Sequence, residues 1–196
     1  LPQPAGKAVP RILVVGPDSR GTALEPLTFK GIGDIRDALM QLRAGGERFE
    51  VVRISNTPPE IFRDMECEFH QAPADDEKTR LFGTADILVY ASHYDSCPRP
   101  PLEGMAAGLA VICTATEGAA EYCVQGENAL LVPPARPPEL AAAVRTLLHD
   151  AEMRARLQAG GRTTADERPA EHEWKAMLSM ISRALAGELG GRYMYY

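Results

Sequence analysis

Two carboxylates in one short segment set the chemistry open to this sequence. Residues 92–108 read S-H-Y-D-S-C-P-R-P-P-L-E-G-M-A-A-G, with Asp95 and Glu103 eight positions apart. The segment follows the apolar run 87–91 (ILVYA), which reads as a buried strand. It opens a helix predicted over 101–107, which Gly108 ends. Asp95 falls in the loop and Glu103 in the first turn of that helix. Both therefore stand at the carboxyl end of a strand, beside a helix amino terminus. Unpaired N–H groups and about half a positive charge at such a terminus favour a phosphate. Carboxylates nearby accept hydrogen bonds from sugar hydroxyls. One site of this kind can hold a diphosphate and the sugars on either side of it. The same two residues also admit a plain structural reading, in which Glu103 complements the helix dipole and Asp95 caps a turn.

The rest of the chain predicts the scaffold. Apolar strands are expected at 11–15 (RILVV), 49–54 (FEVVRI), 68–70, 87–91, 110–113 (AVIC) and 129–132 (ALLV). Helices are expected at 33–43, 58–65, 75–82, 101–107, 118–124, 138–149, 151–159 and 169–189. The first of these carries Ile35, Ala38, Leu39 and Leu42 at helical spacing and stops at Gly45-Gly46. The last carries Trp174, Met177, Leu178, Ile181 and Leu185 on one stripe, which reads as packing surface. Strands that alternate with helices make an α/β fold with a doubly wound, parallel, Rossmann-like sheet. Ligands of such folds bind outside the carboxyl ends of the strands. Chemistry is expected in the loops after Val15, Ile54, His70, Ala91 and Cys113. Residues 1–10 read as a linker, 11–189 as one domain and 190–196 as a tail.

Composition excludes several classes. The chain has 196 residues, 45% hydrophobic and 24% charged, which suits one soluble domain that needs neither disulfide nor metal to fold. Lys and Arg total 21 against 27 Asp and Glu, a net charge of −6, which argues against nucleic-acid binding. No run of 18 apolar residues is present to span a membrane, and no signal-peptide pattern opens the chain. Cys67, Cys97, Cys113 and Cys123 form no C-x2-C pair, so they read as reduced, small apolar residues rather than zinc ligands.

Residues 82–133 carry a longer pattern: F-G-T-A-D-I-L-V-Y-A-S-H-Y-D-S-C-P-R-P-P-L-E-G-M-A-A-G-L-A-V-I-C-T-A-T-E-G-A-A-E-Y-C-V-Q-G-E-N-A-L-L-V-P. This stretch resembles the donor-binding domain of retaining GT-B glycosyltransferases of the sucrose-synthase and mannosyltransferase type. In that family an E-x7-E motif is followed by G-G-x-x-E and G-x-N-G-x-L-V-P strings. Asp95 and Glu103 fall on the two acids. Met105, Ala106, Gly108, Gly118, Glu121, Gly126, Asn128, Leu131, Val132 and Pro133 match as well, and Lys30-Gly31 falls where the family has a phosphate-binding Lys-Gly.

The resemblance implies the carboxyl-terminal half of a GT-B fold, with the acceptor-binding amino-terminal domain outside this chain. It implies that Glu103 accepts from the nucleotide's ribose hydroxyls and Asp95 contacts the donor sugar. Lys30 would pair with the diphosphate and stabilise the leaving group. Arg20, Arg99 and Leu102 complete the expected donor contacts. No cofactor is implied beyond the donor substrate, a nucleoside diphosphate sugar. The expected place of work is the cytoplasm, or a membrane periphery reached through the missing domain, and this chain alone is expected to be inactive.

Two departures from the family pattern bear on the donor. Asp95 is one methylene shorter than the usual Glu. Pro98, Pro100 and Pro101 remove three N–H groups that could face phosphate. These changes leave open a second reading, a non-catalytic module that binds nucleotide sugar or scaffolds a larger protein. Two other classes fit less well. A phosphoacceptor receiver domain needs an acidic pair after its first strand, where Asp18 stands alone in the sequence, and a nucleotide-sugar epimerase would need a further domain.

Overall fold

The computed structural model describes residues 9–18, 30–168, 178–179 and 182–183. Six strands form one sheet: β1 (Arg11–Val15), β2 (Glu50–Ser55), β3 (Glu68–Gln71), β4 (Ile87–Tyr90), β5 (Ala110–Thr114) and β6 (Ala129–Val132). Their order is β3-β2-β1-β4-β5-β6, and every neighbouring pair is parallel. The order reverses between β1 and β4, the switch point outside which ligands of such sheets bind.

Alternation along each strand divides the core in two. Ile12, Val14, Val89 and Ile112 point to the face covered by α1 (Ile32–Ala44) and α4 (Pro137–His149), where Ile35, Leu39, Leu42, Leu140, Val144 and Leu147 meet them. Leu13, Val52, Leu88 and Val111 point to the other face. There they meet Leu81 and Phe82 of α2 (Asp75–Thr84) and Met105 of α3 (Arg99–Ala107). All four middle strands are buried on both faces, which is why they read as unbroken apolar runs rather than alternating ones. Among the described residues no helix is long and apolar enough to cross a membrane.

Four differences from the sequence expectation have a local reason. Residues 58–65 form turns, not a helix. The Ile61 N–H is spent on the Asp18 carboxylate at 2.9 Å, so the helical ladder never starts. Helix α3 begins at Arg99, two residues early, because Pro100 and Pro101 sit in its first turn, where no N–H is required. The segment 118–124 supplies only a single 3₁₀ turn, Ala119–Glu121. Helix α5 (Ala151–Glu167) runs straight through Gly160-Gly161. A Cβ at Gly160 would lie 2.2 Å from the Glu127 carbonyl oxygen, and one at Gly161 would lie 3.0 Å from Met105 Cγ. These glycines let α5 approach its neighbours closely and are not a stop. The tail, Arg20, and the helix expected over 169–189 except at 178–179 and 182–183 lie outside the described residues.

Candidate functional site

The loop that leaves β4 is held from three sides. Ser92 is fully buried, and its carbonyl accepts from the Thr114 hydroxyl at the end of β5. The Gly118 N–H donates to the Asp95 carbonyl at 3.2 Å. A Cβ on Gly118 would stand 2.4 Å from the Ser96 carbonyl carbon, so only glycine fits against this loop. The Tyr122 hydroxyl donates to the Pro98 carbonyl just before α3. Farther along, the Asn128 side chain accepts from Val124 N at 2.7 Å and donates to the Tyr122 carbonyl at 2.7 Å and to Thr164 Oγ1 at 2.8 Å. The G-E-N string is thus a structural turn that fixes the segment bearing Gly118 and Tyr122.

Fixed in this way, Asp95 faces the segment that opens α1. Lys30 Nζ lies 2.7 Å from Asp95 Oδ2 and 3.2 Å from the Tyr90 oxygen. The Tyr90 hydroxyl donates to the same carboxylate oxygen, and Cys97 N–H donates to Oδ1 at 3.1 Å. Partial burial pushes the Asp95 carboxyl up, but its bonds from Lys30, Tyr90 and Cys97 N–H outweigh this and hold it below the usual carboxylate range. Burial, and then the Asp95 carboxylate, push the Tyr90 phenol well above its ordinary value. A carboxylate lowered on folding stabilises the fold above its unfolded pKa and stops doing so as pH falls through the folded one. Asp95→Asn is therefore expected to flatten the loss of stability below about pH 4, read from urea melts of both chains across the acid range.

Lys30 is delivered by an unusual helix start. Gly31, the residue before α1, adopts the left-handed conformation with φ 59°. It packs against the Ala91 carbonyl oxygen, which a Cβ would approach to 1.8 Å. Across the same junction His93 Nε2 lies 2.5 Å from Asp34 Oδ2 in the first turn of α1. The start of α1 and the loop after β4 are thus joined by close backbone packing and by two side-chain pairs.

Glu103 sits on the far side of α3. Its Oε2 lies 2.9 Å from Lys78 Nζ, with both side chains about one-third exposed. The pair stands at a cavity of about 420 Å³ lined by Asp75, Lys78, Thr79, Phe82, Glu103 and Ala106. The Lys78 ammonium lies 5.5 Å from the Phe82 ring centre. Arg99 is exposed at the start of α3, and Leu102 is half-buried against the core.

Sequence reasoning missed three participants. Tyr90 was legible only as a strand residue. Lys78 was signalled by a lysine close behind the acids Asp75, Asp76 and Glu77, where the helix dipole favours negative charge. The third is Arg53, an arginine inside the apolar run of β2. It pairs with Asp18, the acid just after β1. Arg53 Nη2 lies 2.6 Å from Asp18 Oδ1, and the two side chains are 0% and 1% exposed.

The family model described as glycosyl transferases group 1 matches residues 64–164. No curated protein matches the chain. Among solved structures, the sucrose-phosphate synthase of Thermosynechococcus elongatus is 21% identical with a TM-score of 0.76, over 92% of this chain and 46% of that one. The C-terminal domain of the glycosyl transferase group 1 family protein LpcC of Francisella tularensis is 22% identical with a TM-score of 0.67, over 82% of this chain and 87% of that one. The Anabaena protein HepE, in complex with UDP-glucose, is 22% identical with a TM-score of 0.63, over 79% of this chain and 44% of that one. At these identities the likeness establishes the fold, that of the carboxyl-terminal domain of GT-B proteins. The chain spans less than half the length of the sucrose-phosphate synthase and of HepE.

Proposed function

The chain belongs to the glycosyl transferases group 1 family, and from that premise we propose that it is the nucleotide-sugar-binding domain of a retaining GT-B glycosyltransferase. The observation that carries this reading is the placement of Asp95 and Glu103, each with its own lysine, on either side of the α3 amino terminus. The nucleoside lies in the cavity between α2 and α3, with Glu103 accepting from the ribose hydroxyls. The diphosphate crosses the α3 terminus towards Lys30, with Arg99 and Leu102 of α3 as contacts, and Arg20, outside the described residues, as a further candidate contact. The donor sugar lies by Asp95.

In the reaction proposed, the bond between the anomeric carbon and the phosphate oxygen breaks and a bond to the acceptor oxygen forms on the same face. The acceptor's proton passes to the departing phosphate oxygen. Lys30 and the helix terminus take up the negative charge that develops there. Positive charge is supplied by the protein, so the reading calls on no cofactor. The acceptor and its site belong to a second domain, and turnover requires it.

One observation favours a second reading, a non-catalytic module that binds nucleotide sugar or scaffolds a larger protein. Pro98, Pro100 and Pro101 leave few N–H groups at the α3 terminus to hold phosphate.

Calorimetric titration of the chain with UDP, ADP, GDP and their sugars tests the proposal. One of them is expected to bind, and Glu103→Ala is expected to weaken it by about 10- to 100-fold, the range for hydrogen bonds to a charged group. Binding untouched by Glu103→Ala would remove the ribose contact from the reading, and a folded chain that binds none of the six would end it.

A further inference from the structure

We infer that Asp95 competes with the donor's diphosphate for Lys30, and that Tyr90 is the positioning residue that makes the exchange feasible. The inference rests on the proposed role of Lys30 as the diphosphate contact.

In the free chain the Lys30 ammonium is already neutralised by Asp95 at 2.7 Å. A phosphate that recruits Lys30 must therefore draw it from a carboxylate. Asp95 is 13% exposed, so water can replace only part of what the ammonium supplied. A carboxylate stranded in such a place costs more than one in solvent. Asp95 is not stranded. The Tyr90 hydroxyl donates to the same oxygen that Lys30 contacts, and Cys97 N–H donates to the other. Both donors belong to the β4 strand and its loop and stay when Lys30 leaves. Tyr90 is itself 2% exposed and anchored in the sheet, so its hydroxyl keeps its aim. Lys30 is 37% exposed, the most exposed of the three, and its long side chain can swing towards a ligand. Once vacated, Asp95 Oδ2 is the acceptor left beside the sugar, which gives one carboxylate two successive duties.

Changes at Asp95 and Tyr90 should then shift nucleotide affinity in opposite directions. Asp95→Asn removes the competing charge but keeps the shape, and the tightest-binding of UDP, ADP and GDP is expected to bind roughly three- to tenfold tighter. Tyr90→Phe leaves Asp95 dependent on Lys30, and the same diphosphate is expected to bind about three- to tenfold more weakly. In a Lys30→Gln background the Asp95→Asn effect should vanish, which a double-mutant cycle reads directly. The wild type and every variant are compared by calorimetry after circular dichroism shows native helix content. In an Asp95→Asn background the Tyr90→Phe effect should vanish, whereas a tyrosine that merely supports the fold would weaken binding there as well. Equal or weaker binding by Asp95→Asn, or an effect that persists without Lys30, overturns the inference while leaving the donor site in place. Failure of every folded chain to bind any of the three diphosphates overturns the donor-site reading and this inference together.

Discussion

Adding one methyl group at Gly31 is expected to destabilise the chain by about 2–5 kcal/mol, combining the cost of a left-handed non-glycine residue with overpacking against rigid backbone. Gly31 has φ 59°, and the added carbon would lie 1.8 Å from the Ala91 carbonyl oxygen. No rotamer change relieves that contact, because the backbone fixes the Cβ position and the Ala91 oxygen is main chain. Relief requires the start of α1 to move off the end of β4. That movement pulls Lys30 from Asp95 and Asp34 from His93, so nucleotide affinity is expected to fall with stability. The internal control is two residues away. A Cβ at Gly33 meets nothing within 4 Å. Gly33→Ala is expected to be neutral or to stabilise by up to about 1 kcal/mol, since alanine is the better helix residue. Urea melts and diphosphate titrations of the two variants check both signs. Similar losses in both would mean that helix propensity, and not the junction, governs this turn.

The contrast between these two glycines indicates what the sequence discloses. Elements that depend on local pattern were legible. The apolar runs of β1, β2, β4, β5 and β6 and the helical spacing of Ile35, Leu39 and Leu42 mark themselves. Together with strand and helix alternation they give the parallel doubly wound sheet. The loop bearing Asp95 and the helix bearing Glu103 were legible for the same reason, as a strand end and a helix start. What stayed hidden depends on pairing across long separations. Nothing near Gly160-Gly161 tells that Glu127 and Met105 press on it, and the expected helix ends before the pair. Nothing near residues 58–65 tells that Asp18 claims the Ile61 N–H. Tyr90 and Lys78 join the carboxylates 5 and 25 residues away because the sheet and the α2–α3 packing bring them there. A motif names the acids, but only the fold names the groups that hold them.

Arg53 shows the same dependence at the highest cost. Its guanidinium lies beneath the ends of β1 and β2, fully buried. It donates to the carbonyls of Val14, Ile54 and Gly16 and to the Asp18 carboxylate. Burial lowers its pKa and the bond it donates to Asp18 opposes this, but an arginine keeps its proton inside proteins. Arg53→Leu would leave Asp18 charged, 1% exposed, and without its cation. The expected loss is about 3–5 kcal/mol, the range for breaking a buried pair on one side. Much of that loss is the stranded charge, so adding Asp18→Asn should restore a substantial part, with the asparagine oxygen still accepting from Ile61 N–H. Arg36 gives the comparison: it contacts Asp64 at 3.0 Å on the surface, and its removal is expected to change stability little. Urea denaturation of Arg53→Leu, the double variant and Arg36→Ala decides the matter. If the double variant is no more stable than Arg53→Leu, the loss lies in the carbonyls of Val14, Gly16 and Ile54. The clamp on the strand ends, rather than the neutralised charge, would then shape the floor from which the loop toward Lys30 departs.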